Sequence, residues 1–457
     1  MLKKNQTIEI TINDLSSEGH GVGRIDGFTV FVEGGLPGEA LEIQIVKLNK
    51  HYGFGKLLRI LRPSPHRAAP PCPVYNRCGG CGLMHLDYEA QLRFKKDVVA
   101  QALKRLGGFE DIRVEDTLGM AEPFHYRNKG QFPCGSIDGE AMFGFFAPRS
   151  HRLIPLEHCM IQHPVHVVIL STVKDFMLEK NISPYDEETH KGLVRHVFFR
   201  TAFSTGETMA VIVINGDSLP YAKLLGERLL SIEGVCSVAL NINKARTNVI
   251  LGNKTQALAG KPSIREHLGH LKLDISPLSF FQINPVQTKV LYDKVIELGD
   301  LRETDTVLDA YCGIGSIGLY LAGKVKKVVG VEIIPEAIED ARRNAALNGI
   351  ENAEFHIGKA EDLIPRFFKN GQADILILDP PRKGCEKSLL SAALSAGVKR
   401  LVYVSCNPST LARDLKYICA GGEYTIQKVQ PVDCFCHSKH VECVVEIAAK
   451  NYQPPYV

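Results

Sequence analysis

Thr304-Asp-Thr-Val-Leu-Asp-Ala-Tyr-Cys-Gly-Ile-Gly-Ser-Ile-Gly318 is the stretch on which the fold turns. A short apolar run ends in a turn carrying Gly313, Gly315 and Gly318, then passes into a segment with the composition of a helix. Glycines at a strand-to-helix turn remove the Cβ atoms that would hold a ligand away from the backbone. Further on, KKVVGVE (326–332), PEAIEDARRNAALNG (335–349), AEFHIG (353–358), ADILILD (373–379), KRLVYVS (399–405) and VECVVEIAA (441–449) alternate between strand and helix patterns. That alternation implies a parallel sheet with helices on both faces, a Rossmann-like α/β domain over residues 271–457.

Working toward the N-terminus, QTIEITIND, GVGRIDGFTVFVEG, EALEIQIVKLNK and FGKLLRIL read as short strands between glycine turns, which suits a small OB-like barrel over residues 1–61. The prolines of RPSPHRAAPP (62–71) close that unit. Residues 62–270 look mixed α+β. They include a helix over 88–108, with Leu92, Val99, Leu103 and Leu106 at helical spacing, which is able to pack on the C-terminal domain.

A chain of 457 residues with 45% apolar and 23% charged residues has the profile of two or three folded domains. MLKKNQTIEITIND lacks the apolar core of a signal peptide, and no run approaches the ~20 apolar residues of a membrane span. A cytoplasmic protein is expected, and its thirteen cysteines suit metal binding or nucleophilic chemistry better than disulfides. A net charge of +3 implies no nucleic acid by itself. Residues 43–67, however, carry Lys47, Lys50, Lys56, Arg59, Arg62 and Arg67 with no acidic residue, which is either a solvated face or a phosphate-contacting one.

Glu332 follows Gly313 by about twenty residues at the end of the next strand, where a carboxylate can accept from ribose hydroxyls. The glycine spacing fits a dinucleotide as well as a methyl donor. Asp309 and the segment Asp379-Pro-Pro-Arg382 favour the methyl donor, S-adenosylmethionine.

Cys406, in Ser405-Cys-Asn-Pro-Ser-Thr410, follows an apolar strand and should share the sheet edge with the cofactor loops. Its place before a helix start is expected to lower the thiol pKa. One chemistry needs a cysteine, a base and a methyl donor together: methylation of uracil C5, a carbon that becomes nucleophilic only after a thiolate adds to C6. Glu442 is the candidate base, provided that the last strand runs antiparallel and so begins at the carboxyl edge.

Phe280-Phe-Gln282-Ile-Asn284, DAYCGIGSIG (309–318), Glu332, DPPRKG (379–384), SCNPST (405–410) and His440-Val-Glu442 together resemble the RNA (uracil-5-)-methyltransferases that modify 23S ribosomal RNA and transfer RNA. The resemblance spans essentially the whole chain. It implies that Gln282, Tyr311, Gly313, Glu332 and Asp379 contact S-adenosylmethionine, with Cys406 as nucleophile and Glu442 as proton acceptor. It also places Phe280 and, in Tyr126-Arg-Asn-Lys129, Arg127 and Lys129 toward the substrate. One departure is visible. Phe435-Cys-His-Ser438 stands where the family has Phe-Pro-x-Thr, and loss of the proline is expected to loosen the loop presenting Glu442.

Cys72, Cys78 and Cys81 with the distant Cys159 supply four thiols for zinc or a [4Fe–4S] cluster, which spacing does not separate. The resemblance implies the cluster. It likewise implies that the barrel is a TRAM domain and that the partner is 23S ribosomal RNA, bound as a looped or single-stranded segment by a monomer. Methylation of tRNA, an exocyclic amine or cytosine, and a non-catalytic RNA-binding assembly factor, are the competing readings.

Overall fold

The computed structural model describes residues 2–148, 150–369 and 373–452. Its C-terminal sheet has seven strands, β1 (Thr306–Ala310), β2 (Lys327–Glu332), β3 (Ala353–Ile357), β4 (Ile375–Leu378), β5 (Arg400–Ser405), β6 (Tyr424–Val432) and β7 (Glu442–Ala449), in the order β3-β2-β1-β4-β5-β7-β6. The first five are parallel, and β7 is antiparallel to both β5 and β6. Every residue of β1, β4 and β5 is buried, as strands covered by helices on both faces require. Strand β6 has no counterpart in the sequence reading. Pro431 and the polar residues of YTIQKVQPV hide it, and its edge position tolerates the proline. The chain runs outward from β1 to β3, then crosses to β4 on the other side of β1. The crevice this reversal leaves at the carboxyl ends is where doubly wound sheets bind ligands.

Residues 254–260, 235–242, 208–214, 194–201, 129–137, 140–146 and 153–155 form, in that order, a second seven-stranded sheet. Phe198, Met209 and Val211 of this sheet join Val307 and Val328 in one continuous apolar core. The division expected at residue 270 falls in the turn of a hairpin, Ile264–Leu268 with Leu271–Ile275, whose Ile264, Leu268 and Leu273 belong to that same core.

The N-terminal strands, Thr7–Leu15, Gly21–Ile25, Phe28–Val32, Ala40–Leu48 and Tyr52–Arg62, close into a barrel around Ile10, Val30, Val32, Leu41 and Ile43. The helix Tyr88–Ala102, continued by a wider turn to Gly107, connects the barrel to the catalytic sheet. Asp87 caps it by accepting from Ala90 N at 2.8 Å, and Gly108 ends it with φ 79°. Phe94 packs with Leu36 and Leu83 toward the barrel, while Val99 and Leu103 pack with Leu411 and Leu415 of the helix Pro408–Cys419. Burial on this scale is worth roughly 1.5–3 kcal/mol per side chain. Leu106, expected on the packed face, is exposed.

Candidate active site

The ends of β1, β2, β4 and β5 and the start of β7 converge at the carboxyl edge. At the end of β1, Asp309 is fully buried. Its Oδ2 accepts from Gly318 N at 3.0 Å, while Oδ1 has no partner. Burial raises its pKa to about 8, opposed by the Gly318 hydrogen bond and reinforced by Asp379 and Glu332. Gly318 must be glycine, because a Cβ there would lie 2.8 Å from Val328 Cγ1. Gly313 takes φ 54° with open space where a Cβ would project. Tyr311 adopts φ 66°, a left-handed conformation that costs a tyrosine of order 1–3 kcal/mol.

Glu332 ends β2. Its carboxylate accepts from Gly313 N at 3.2 Å, Ile333 N at 2.8 Å and Ile334 N at 3.1 Å, which fixes it beside the glycine turn. Asp379 follows β4, and burial pushes its pKa to about 7.

The antiparallel pairing of β7 with β5 matches Ser405 to Cys443 and so sets Glu442 beside Cys406. Glu442 is buried, its Oε2 has no partner, and burial with the Asp379 charge raises its pKa to about 8 against the opposing pull of Arg382. The expected lowering of the Cys406 pKa is not what the structure gives. Burial, then Glu442 and Asp379, push this thiol up to about 11, with Arg382 pulling the other way. The helix start at Pro408 is outweighed by desolvation and two carboxylates.

These groups line a cleft of about 1930 Å³ that also takes in Gln282, Tyr311 and Gly313, together with Phe280, Arg127 and Lys129. Its volume exceeds the ~300–1,000 Å³ of a single-ligand pocket, leaving space for a nucleotide beside a donor. Phe281 is buried and Phe280 is 64% exposed, so the doublet splits between anchoring and display. Asn128 fastens the two predicted substrate segments together, its Nδ2 donating to Gln282 O at 2.8 Å and its backbone N to Ile283 O at 2.9 Å. Burial, Arg200 and Arg127 lower the Lys129 pKa to about 8. Arg127 Nε is buried without a partner. Such a crowded cationic wall suits phosphate.

The loop with the missing proline is not loose. Cys436 is fully buried, its carbonyl accepts from Tyr126 OH at 3.0 Å, and His437 O accepts from Gly82 N and Leu83 N at 3.0 and 2.9 Å. Tyr88, Lys95 and Asp433, none of them singled out by the sequence, supply the remaining anchors. Their only sequence signal is a lysine in line with apolar neighbours on a helix.

Cys72, Cys78 and Cys159 lie near enough to Cys81 to act on its charge, but the four thiols expected to hold a metal do not form a ligand set. Burial raises the Cys81 thiol pKa, and Cys159, Cys78 and Cys72 raise it further. Among the described residues, no three His, Cys, Asp or Glu side chains group closely enough to hold a metal ion.

On the barrel, Phe31, Tyr52 and Phe54 pack their rings 5.7–5.8 Å apart on adjoining strands. Lys47 pairs with Phe54 in the ladder, and Lys56 lies two residues beyond it. Aromatic faces interleaved with cations are what single-stranded nucleic acid stacks on.

Residues 2–58 match the TRAM domain and residues 270–450 match the tRNA (uracil-5-)-methyltransferase family. Uncharacterized RNA methyltransferases of Halalkalibacterium halodurans and Clostridium tetani are each 47% identical, the first over 98% of both chains and the second over 97% of this chain and 96% of its own. The chain belongs to the tRNA (uracil-5-)-methyltransferase family. A solved structure of Pyrococcus abyssi tRNA (uracil-54, C5)-methyltransferase with S-adenosyl-L-homocysteine is 29% identical. It aligns over 96% of this chain and 99% of its own, with a TM-score of 0.78. The protein is thus an S-adenosylmethionine-dependent RNA uracil-5-methyltransferase with an N-terminal TRAM barrel. The site fits that donor, since the unpartnered Asp309 Oδ1 and the Glu332 carboxylate meet an open glycine turn. Membership removes the exocyclic-amine and cytosine readings. Among the described residues, no helix is long and apolar enough to cross a membrane.

Proposed function

We propose that methylation proceeds through a covalent adduct between Cys406 and uracil C6, with Glu442 as proton acceptor. The observation that carries this reading is the placement of Cys406 beside the unpartnered Glu442 carboxylate in the cleft shared with the donor loops. When bound, S-adenosylmethionine supplies an electrophilic methyl group and a positive charge that lowers the pKa values of the facing acids. Cys406 loses its proton to solvent and bonds to C6. The electrons of the C5=C6 double bond move toward O4, and C5 takes the methyl group, releasing S-adenosylhomocysteine. Glu442 then accepts the C5 proton, the double bond re-forms, and the Cys406–C6 bond breaks. Gln282, Tyr311, Gly313, Glu332 and Asp379 hold the donor. Phe280, Arg127 and Lys129 hold the nucleotide and its phosphates, and the target uridine leaves its stack at a cost of a few kcal/mol.

For the substrate, 23S ribosomal RNA is the first reading, supported by the resemblance of the barrel-plus-cysteine architecture to ribosomal enzymes. A tRNA uridine is the second, favoured by the Pyrococcus tRNA enzyme, which aligns over 96% of this chain. The four cysteines are proposed, on the family resemblance, to hold a [4Fe–4S] cluster in a structural or RNA-facing role. Anaerobic purification should give iron and absorbance at about 400 nm, roughly the thiolate-to-iron charge-transfer region; a preparation lacking both contradicts the cluster.

The reaction is tested by tritium release from C5-labelled uridine in RNA. Release that depends on donor and on Cys406 supports the adduct. Mapping 5-methyluridine in ribosomal and transfer RNA, with and without the gene, decides between the substrates.

A further inference from the structure

We infer that Lys95, Asp433 and Tyr88 form a positioning clamp through which the helix Tyr88–Ala102 holds Glu442 in register with the bound uracil, so that its integrity governs the last chemical step. The inference rests on the covalent reading above. The clamp joins residues more than three hundred positions apart. Lys95 Nζ donates to Asp433 Oδ1 at 2.5 Å and to Phe435 O at 3.0 Å, tying together the first and third residues of the connection between β6 and β7. Tyr88 OH donates to Asp433 Oδ2 at 2.9 Å and accepts from Met120 N at 2.9 Å. Asp433 Oδ1 also accepts from Phe435 N at 3.1 Å. One turn further along, Gln91 Oε1 accepts from His437 N at 3.1 Å.

Both charged side chains of the clamp are completely inaccessible. A buried ion pair is a poor source of stability, because desolvation consumes most of its attraction and apolar replacements often serve as well. Its use here is geometric. Phe435, held through both its backbone N and O, lines the cleft beside Glu442. The Glu442 Oε2 atom has no bond of its own to orient it. Its position therefore derives from β7 and the turn leading into it. Nothing in the clamp touches Cys406 or the glycine turn, so thiol attack and methyl transfer should be indifferent to it.

The test is a single-turnover experiment on the full-length enzyme with excess enzyme and RNA, following a denaturant-stable methylated RNA–protein adduct. The Lys95→Met/Asp433→Asn variant removes both charges and leaves a side-chain oxygen to accept from Phe435 N. Adduct formation should stay within about threefold of the wild type. Resolution of the adduct should slow on the order of 10- to 100-fold, so that it accumulates as it does in Glu442→Gln. Equal slowing of both steps, or of neither, overturns the clamp. Should the double variant fail to fold by circular dichroism, Tyr88→Phe is read for the same ratio, with resolution slowed about two- to tenfold. A Tyr88→Phe enzyme with unchanged resolution then overturns it. Glu442→Gln separates the two claims. If that variant and the wild type form no adduct, the covalent reading fails; if Glu442→Gln traps adduct and the clamp variant does not, the clamp fails.

Discussion

Strands β1 and β5 lie on either side of β4, and their two ends treat charge in opposite ways. At the amino ends, Arg400 Nη2 meets Asp305 Oδ1 at 2.5 Å. Arg400 Nη1 donates to Asp300 O at 2.8 Å, and Asp305 Oδ2 accepts from Arg302 N at 2.9 Å. At the carboxyl ends, Asp309 Oδ1 and Glu442 Oε2 are buried without partners, and Asp309, Asp379, Glu442 and Cys406 all have raised pKa values. Charge that is satisfied internally holds strands together. Charge left unsatisfied is completed by what binds, so one edge should govern stability and the other chemistry.

The sharpest way to break that contrast is Cys406→Ala, which should abolish 5-methyluridine while RNA affinity, read by filter binding, stays within about threefold. Glu442→Gln should lower turnover by about 10²- to 10⁴-fold in a steady-state assay, with adduct building up. At the opposite edge, Asp305→Ala leaves the buried Arg400 without its countercharge, though Nη1 keeps its bond to Asp300 O. It should lower unfolding free energy by about 3–5 kcal/mol in denaturant titration while the folded fraction keeps its kcat. On the barrel, Tyr52→Ala should weaken RNA binding by about 1–3 kcal/mol without changing single-turnover rates at saturating RNA.

A further effect is a pH slope. Asp309, with a folded pKa of about 8 against an ordinary 3.8, binds more protons folded than unfolded between those values. The stability this group contributes in the unliganded enzyme is complete below about pH 4 and is lost as pH rises through about 8. Asp309→Asn, still able to accept from Gly318 N, should flatten the fall in unfolding free energy across that window; an unchanged slope would show that Asp309 is not held protonated.

The sheet edge was legible because each element of it is local. A strand, a glycine turn and a helix appear within fifteen residues, and the carboxyl-edge rule then places Glu332, Asp379 and Cys406 together without coordinates. Glu442 needed one added condition, an antiparallel last strand, and the register of Ser405 with Cys443 meets it. What stayed hidden is non-local. Lys95 and Asp433 are buried polar residues with no periodicity to announce them, and their pairing exists only after a helix from the N-terminal half docks on the last turn. The raised Cys406 pKa was missed for a related reason. A helix start is visible in sequence, whereas the depth of burial and the two carboxylates facing the thiol belong to the assembled edge. The loop of Phe435–Ser438, expected to loosen without its proline, is instead held by partners that lie far away in the chain.

The most direct test of the account is mass spectrometry of the Glu442→Gln enzyme after reaction with donor and RNA, digested to peptides. The account predicts a methylated uridine attached to the peptide carrying Cys406 and to no other of the thirteen cysteines. Formation of 5-methyluridine by Cys406→Ala at an undiminished rate would contradict it.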